Sequence, residues 1–434
     1  MKIVKKVWGE EHWIVNNEYC GKKLILKKNY RCSIHQHKKK DEVFYVIKGK
    51  VLLEADGKKT IMKPGDSFHV IPGCYHRFTG LENSEIIEFS SHHDEKDSYR
   101  TELSGKIKNE FEDRINSILD NFRNKKILVI GDIMLDKSIS GDVSRISPEA
   151  PIQVVNVKKE KYVPGGAANV CSNLASLDAK TYLSGVVGKD QISKFLFSCC
   201  KKKKINYSLV IQDQNRTTTQ KTRIIGRNQQ LLRIDYENTD KINSSIEKKL
   251  SNKLLNKIKG FDAIIISDYA KGVITKDLIG GLVNIAKKCN IPLIVDPKPK
   301  NKEIYHGVYL IKPNLKEAVE ITGIEAENDN DIIKIGEKLV KKFKSNVLLT
   351  CGDKGMYLFN TNGKKEHLPT EVKEVYDVTG AGDTVVAIIA LSLAAGANLK
   401  EASFIANKAA GIVVEKAGTS TTNIEEIRKS IEDE

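Results

Sequence analysis

Two folds in succession are predicted for this chain of 434 residues: a small all-β barrel, then an α/β domain on a doubly wound, mostly parallel sheet. Three observations carry that prediction. Up to about Ser91 short segments alternate apolar and polar residues between Gly, Asp-Gly and Pro-Gly breaks, the mark of antiparallel hairpins. After Lys126 the text changes to short apolar runs ending in Asp, Asn, Gly or Thr, such as KILVIGD, DAIIISD, PLIVDPK, VYLIKPN and NVLLTCGD. Most of these runs are separated by stretches with helical periodicity, so they read as βαβ units whose strands are covered on both faces.

Taken in order, residues 1–95 form the barrel, with KKLILKK, DEVFYVIKGKVLLEADGKKTIM and DSFHVIPG as its clearest strands. Residues 96–120 are a linker and a helix. The polar text from His92 to about Ser104 has no period, while Phe111, Ile115, Ile118, Leu119 and Phe122 recur at helical spacing. Residues 121–434 are the α/β domain, whose ligand is expected at the carboxyl ends of the strands.

Composition excludes several classes. With 40% hydrophobic and 29% charged residues the chain can bury a core, which a disordered or collagen-like chain cannot. The longest apolar run, Val385 to Ala397, is interrupted by Ser392 and Gly396 and is too short to span a bilayer. No apolar segment follows the basic N-terminus, so a cytoplasmic location is expected, with no membrane partner. The net charge of +15 is spread along the chain without aromatic interleaving, so no nucleic-acid partner is expected. The eight cysteines form no CxxC pair and read as reduced thiols.

Metal chemistry is suggested first by His35-Gln36-His37, then Glu42, Gly49 and Pro72-Gly73-Cys74-Tyr75-His76. Residues i and i+2 of a strand share a face, so His35 and His37 can reach one ion. Three imidazoles and a carboxylate suit a divalent transition metal: Fe, Mn, Ni, Co or Zn. An isolated HxH is more often a pair of exposed strand histidines; here the downstream Glu42 and His76 favour the metal. Lys38-Lys39-Lys40 beside the motif could meet a phosphate, but reads more simply as a solvated turn.

These residues resemble the two motifs of the cupin family, whose barrels hold a metal with three His and one Glu. The resemblance covers about residues 20–90, and it departs where Pro72 directly precedes Gly73. The ending IPGCYHRF is similar to cupins of phosphomannose-isomerase-type enzymes. What this implies is binding of a sugar or sugar phosphate, as an isomerase or epimerase or as a non-catalytic sensor.

Anion chemistry is suggested by Asp377-Val378-Thr379-Gly380-Ala381-Gly382-Asp383-Thr384 ahead of an apolar helical run. Small residues opening a helix aim free N–H groups and the positive end of its dipole at an anion. Asp383, at that helix start, is placed to take a proton from a hydroxyl, with Gly380, Ala381 and Gly382 as the anion hole.

The longer string resembles the second signature of ribokinase-type (PfkB) carbohydrate kinases, which implies a β-lid on a ribokinase-like sheet, ATP and Mg²⁺. Pro164-Gly165-Gly166-Ala167-Ala168-Asn169 is similar to the first signature, so the resemblance assigns Gly165, Gly166 and Asn169 to the sugar, and Asp136 to acceptor hydroxyls. It assigns Asn314 and Glu317 of an NxxE motif to Mg²⁺ and phosphates, and places Thr350, Gly352 and Asn407 near the nucleotide. GDVSRISPEAP (Gly141 to Pro151), RNQQLLRID (Arg227 to Asp235), ISDYAKGV and VDPK resemble the D-glycero-D-manno-heptose 7-phosphate kinase branch. That branch makes the 1,7-bisphosphate at the anomeric hydroxyl, for nucleotide-activated heptose and lipopolysaccharide precursors.

A phosphorylated acceptor needs cations, for which Arg145, Lys221, Arg223 and Arg227 are the candidates. The resemblance also implies a homodimer through a lid made of segments near 138–160 and 217–235. Other members of the branch carry a C-terminal nucleotidyltransferase; since the chain ends at Glu434, that step is expected from a separate polypeptide. Fructose 6-phosphate or a nucleoside are the alternative acceptors.

Overall fold

The structure is a computed structural model that describes residues 2–107, 110–227, 229–370, 376–416 and 420–432. It divides into two compact units, Met1–Asp113 and Arg114–Glu434.

The first unit is two antiparallel sheets around one core. A six-stranded sheet runs in the spatial order Lys2–Lys6, Gly9–Asn16, Tyr19–Leu26, Ser84–Ser91, Glu42–Lys48, Ser67–Val70. Facing strands include Ile34–Gln36, Val51–Ala55 and His76–Gly80. Strand alternation decides what enters the core: Glu42, Phe44 and Val46 point inward from one strand, so the register that buries two apolar side chains also buries a carboxylate. Four charged side chains, Lys22, Lys40, Glu42 and Glu88, are 2–4% exposed.

The stretch 92–104, which reads as a linker, is part of this unit's pairing. Tyr99–Glu102 pairs with Ile34–Gln36, and Gly105–Lys106 with Tyr30–Arg31. All four residues of Tyr99–Glu102 are exposed, so the strand has no buried face to write a period into the sequence. Side-chain chemistry holds it: the Asp97 carboxylate accepts the N–H groups of Lys38, Lys39 and Lys40 at 3.0–3.1 Å.

The second unit has the predicted α/β class. Its nine-stranded sheet runs Asn206–Asp213, Lys180–Gly188, Lys126–Gly131, Ala263–Ser267, Leu293–Asp296, Leu310–Ile311, Asn346–Thr350, Met356–Phe359, Lys365–Leu368. Strand pairs are parallel up to Asn346–Thr350, and the last two strands turn antiparallel. Successive residues of Lys126–Gly131 feed opposite faces: Ile127 and Val129 join one apolar cluster, Leu128 and Ile130 the other. Helices cover both clusters, which is why these strands read as continuous apolar runs.

The helix Glu110–Asp120 buries Ile115, Ile118 and Leu119, while Phe111 is 40% exposed, outside the stripe its spacing suggests. A separate four-stranded sheet, ordered Gln153–Gly166, Ile133–Ile146, Thr219–Gly226, Gln229–Tyr236, forms the lid. Asn228, part of the RNQQLLRID string, lies outside the described residues. All eight cysteines are free thiols. Among the described residues no helix is long and apolar enough to cross a membrane.

Candidate active site and candidate metal centre

In the second unit the helix Ala381–Ala394 is buried from Asp383 to Ser392, apolar on every side because other elements surround it. Its first turn opens on a cavity of about 590 Å³. Gly380 caps it with φ 87° and no side-chain hydrogen bond, and Gly380, Ala381 and Gly382 line the cavity, although the Ala381 N–H of the predicted anion hole donates to the Val378 carbonyl at 3.2 Å. Asp383 is in the first turn, 5% exposed. Its Oδ2 accepts from Asn169 Nδ2 at 2.7 Å and its Oδ1 from the Tyr269 hydroxyl at 2.9 Å. Burial pushes the carboxyl up to about 6, the charge of Asp296 adding to the rise and the two donors opposing it. A carboxyl there is ionised at neutral pH yet basic enough to share a proton with a hydroxyl.

Asp136 stands on the lid strand Ile133–Ile146, where its Oδ1 accepts from Arg223 Nη1 at 2.6 Å. Gly165 lies directly behind it: a Cβ there would come within 2.3 Å of Asp136 Oδ2, so the carboxylate occupies the space that only glycine leaves. Gly166, at φ 56°, packs as closely on the carbonyl of Asp132. Across the cavity Asn314 and Glu317 form a reciprocal capping box, Glu317 N–H donating to Asn314 Oδ1 at 2.8 Å and Asn314 N–H to Glu317 Oε2 at 3.0 Å. They start a helix and also line the cavity. Thr350, Gly352 and Asn407 line it as well, Asn407 donating to the Pro369 carbonyl at 2.8 Å.

Of the four candidate cations, Lys221 and Arg223 line this cavity, as alternate residues of one strand should. Arg145 and Arg227 do not. Arg145 is exposed on the outer half of the lid, and Arg227 Nε donates to the Val143 carbonyl at 3.0 Å. Sequence reasoning also missed four residues that the fold brings in: Tyr269, Asp296, Lys298 and Lys312. Each follows the last apolar residues of a strand, so the rule that ligands collect at strand ends marks them. Lys312, 3% exposed, pairs with Asp296 at 3.0 Å, and Lys298 pairs with Glu317.

In the first unit His35, His37 and His76 hold ligand atoms within 4.8 Å of one another. His35 and His76 are direct partners across antiparallel strands. Each Nδ1 faces a carbonyl: Ser33 at 2.9 Å, Asp97 at 2.8 Å and Cys74 at 3.1 Å. A carbonyl accepts only from N–H, so the proton sits on Nδ1 and Nε2 keeps its lone pair. Burial, first, and neighbouring histidine charge lower His35 to about 3, which keeps it neutral.

Glu42 Oε2 is 3.2 Å from His76 Nε2 and 3.8 Å from His37 Nε2, buried and without a hydrogen-bond partner. Its other oxygen is taken by Lys40, which also binds Glu88 at 2.6 Å. Burial alone would raise the Glu42 carboxyl, but the Lys40 charge on its other oxygen holds it well below the usual range. Three lone pairs and one orphaned carboxylate oxygen fit a divalent transition metal. Lys40 departs from the solvated-turn reading: it is 3% exposed, whereas Lys38 and Lys39 face solvent. The cluster opens on a cavity of about 600 Å³ within the unit.

The lidded α/β sheet of the second unit is a ribokinase-like fold. Similar solved structures include Arabidopsis thaliana ribokinase complexed with ribose and ATP (TM-score 0.57, 20% identity, 71% of this chain and 99% of that one). Phosphofructokinase-2 of Escherichia coli in complex with potassium is comparable (TM-score 0.58, 19% identity, 71% and 97%). The family model described as pfkB family carbohydrate kinase matches residues 124–426, and the cupin domain model matches 24–107. The chain therefore belongs to the pfkB carbohydrate kinase family and carries a cupin domain ahead of the kinase. Curated relatives include Bifunctional protein HldE of Aliarcobacter butzleri, 45% identical over 302 residues, and that of Haemophilus influenzae strain PittEE, 43% over 311. These matches cover 69% and 71% of this chain, and the chain spans only 63% and 64% of those relatives.

Proposed function

We propose that this chain is an ATP- and Mg²⁺-dependent kinase that phosphorylates the anomeric hydroxyl of D-glycero-D-manno-heptose 7-phosphate, supplying nucleotide-activated heptose synthesis. The observation that carries the proposal is Asp383 in the first turn of a glycine-capped helix, with both oxygens held by donors. Asp136 and Asn169 orient the acceptor, and Gly165 and Gly166 let it approach. Asp383 takes the hydroxyl proton as that oxygen bonds to the γ-phosphorus, and the bond from that phosphorus to ADP breaks. The N–H groups at Gly380 and Gly382 offset the charge on the moving phosphoryl group, and Ala381 joins them once its N–H leaves the Val378 carbonyl.

Glu317, Asp296 and Asn314 are the groups that would hold Mg²⁺, which neutralises nucleotide phosphates when bound. Lys221 and Arg223 serve the acceptor's own phosphate. Exposed Leu232 and Ile152 on the lid support a homodimer through it. In the cupin domain, His35, His37, Glu42 and His76 would hold a divalent transition metal, which polarises a bound oxygen. Its ligand is a sugar or sugar phosphate.

The test is ³¹P NMR of the protein with Mg-ATP and heptose 7-phosphate, with fructose 6-phosphate in parallel. A new anomeric phosphate signal with the heptose alone is the expected result. Turnover of fructose 6-phosphate alone transfers the proposal to a different acceptor.

A further inference from the structure

The loop after strand Ala263–Ser267 is held in a shape that its own residues would not choose. Ala270 has φ 55°, the left-handed region that costs a side-chain-bearing residue roughly 1 kcal/mol or more, while Gly272 takes φ 87° without that cost. Two buried carboxylates impose it. Asp132, 1% exposed, accepts the N–H groups of Tyr269 at 2.8 Å, Lys271 at 3.0 Å and Val273 at 3.3 Å. Asp268, 2% exposed, accepts from Ala270 N–H at 2.6 Å and Asn301 Nδ2 at 2.7 Å, and from the Tyr305 hydroxyl. Neither aspartate lines the cavity. Tyr269, between them, is the loop side chain that reaches Asp383.

We propose that Tyr269 is a positioning residue for the kinase base: its hydroxyl, delivered by a loop anchored on Asp132 and Asp268, donates to Asp383 and holds that carboxylate ionised and aimed at the acceptor. The proposal rests on Asp383 being the base. Tyr269 and Asn169 take one oxygen each, so the carboxylate cannot turn, while each oxygen keeps a second lone pair for the incoming hydroxyl. The phenol itself stays protonated, since burial and then the charges of Asp383 and Asp296 push it well above its ordinary range. It is a fixed donor rather than a second acid.

The other charges around the pair come from separate elements. Asp296 and Lys312 stand at neighbouring strand ends, Lys298 lies 5.6 Å from the Tyr269 ring centre, and Asp136 with Arg223 and Lys221 faces the cavity from the lid. Tyr269 lies within the ISDYAKGV string, where it carries no signal of its own.

The experiment is a titration of Asp383 in the full chain labelled with ¹³C-carboxyl aspartate. The Asp383 resonance is the one missing from Asp383→Asn, and no substrate is needed. Losing one hydrogen bond to the charged form moves its midpoint up by roughly one to two pH units in Tyr269→Phe. Turnover at pH 7 then falls about two- to tenfold and recovers at higher pH, a rescue that a merely structural defect would not show.

3-Fluorotyrosine at position 269 keeps the packing and strengthens the donor, so it shifts the midpoint down. That second protein decides the matter should Tyr269→Phe fail to fold. An unmoved midpoint, or a shift of the same sign in both proteins, overturns the proposal. Full turnover by Asp383→Asn instead removes the base assignment on which it rests. The expected shifts in a chain that ignores heptose 7-phosphate leave this inference standing and remove only the acceptor.

Discussion

Replacing Asp383 by Asn should weaken catalysis and strengthen the fold at once. The carboxyl is 5% exposed and carried by burial from an ordinary 3.8 to about 6. Between those values the unfolded chain has released its proton while the folded chain still holds one, so stability falls as pH rises. Above about pH 6 the full penalty is present; below 3.8 it vanishes. Two pH units at about 1.4 kcal/mol each give about 3 kcal/mol at pH 8, and about half of that at pH 5. The amide accepts from only one of the two donors that now serve the carboxylate, which returns about 1 kcal/mol. A net gain of about 2 kcal/mol at pH 8, shrinking toward zero at pH 5, is expected.

The two units have separate apolar cores, so each is followed with its own probe. Both tryptophans, Trp8 and Trp13, lie in the cupin domain, so their fluorescence reports that unit alone. Far-ultraviolet circular dichroism follows the helices of the kinase. Urea unfolding at pH 8 and pH 5 should show a pH-dependent gain in the dichroism transition and none in the fluorescence transition. Turnover should fall by ~10²–10⁴-fold, as for loss of a positioned base. A destabilised or pH-indifferent variant, or one keeping above about a tenth of its activity, would falsify the reasoning.

Gly165→Ala places a methyl group 2.3 Å from Asp136 Oδ2 and 2.9 Å from Met134 Cγ, so acceptor KM should rise roughly tenfold or more in steady-state assays while ATP KM holds. Lys221→Met should lower kcat/KM for the phosphorylated acceptor by roughly 10- to 100-fold, and an equal loss with a non-phosphorylated sugar would refute its role. Asp97→Ala frees the N–H groups of Lys38 to Lys40 and loosens the carbonyl that orients His37; chelator competition should show metal affinity lower by roughly 10–100-fold. The His35→Ala/His37→Ala double variant should lose bound metal by elemental analysis. A sugar reaction lost with kinase kinetics intact makes the cupin an enzyme, and altered kinase kinetics alone make it a sensor.

Much of the fold was written in periodicity, because buried faces dictate side-chain choice. The parallel strands read as apolar runs since both faces are covered, and the hairpins as alternation since one face is wet. The strand Tyr99–Glu102 was illegible for the converse reason: nothing in it is buried, and its anchor is Asp97, outside it. Lys40 was misread because a basic run looks solvated until Glu42 and Glu88 are folded around one member of it.

For the sites, local motifs named the groups whose neighbours are close in sequence. Gly380 to Asp383 form one helix start, Asn314 and Glu317 one capping box, and His35 and His37 one i, i+2 pair at the end of a short strand. The cavity's other walls come from strand ends far apart in the chain. Tyr269 meets Asp383 across 114 residues and Asn169 meets it across 214. Sequence by itself determined the classes of chemistry, a phosphoryl-directed helix start and a histidine cluster, because each needs only short-range spacing. Tertiary structure alone decided which cations face the acceptor and what holds the base, because a hydrogen bond between distant segments depends on sheet order and loop shape, and neither leaves a local pattern.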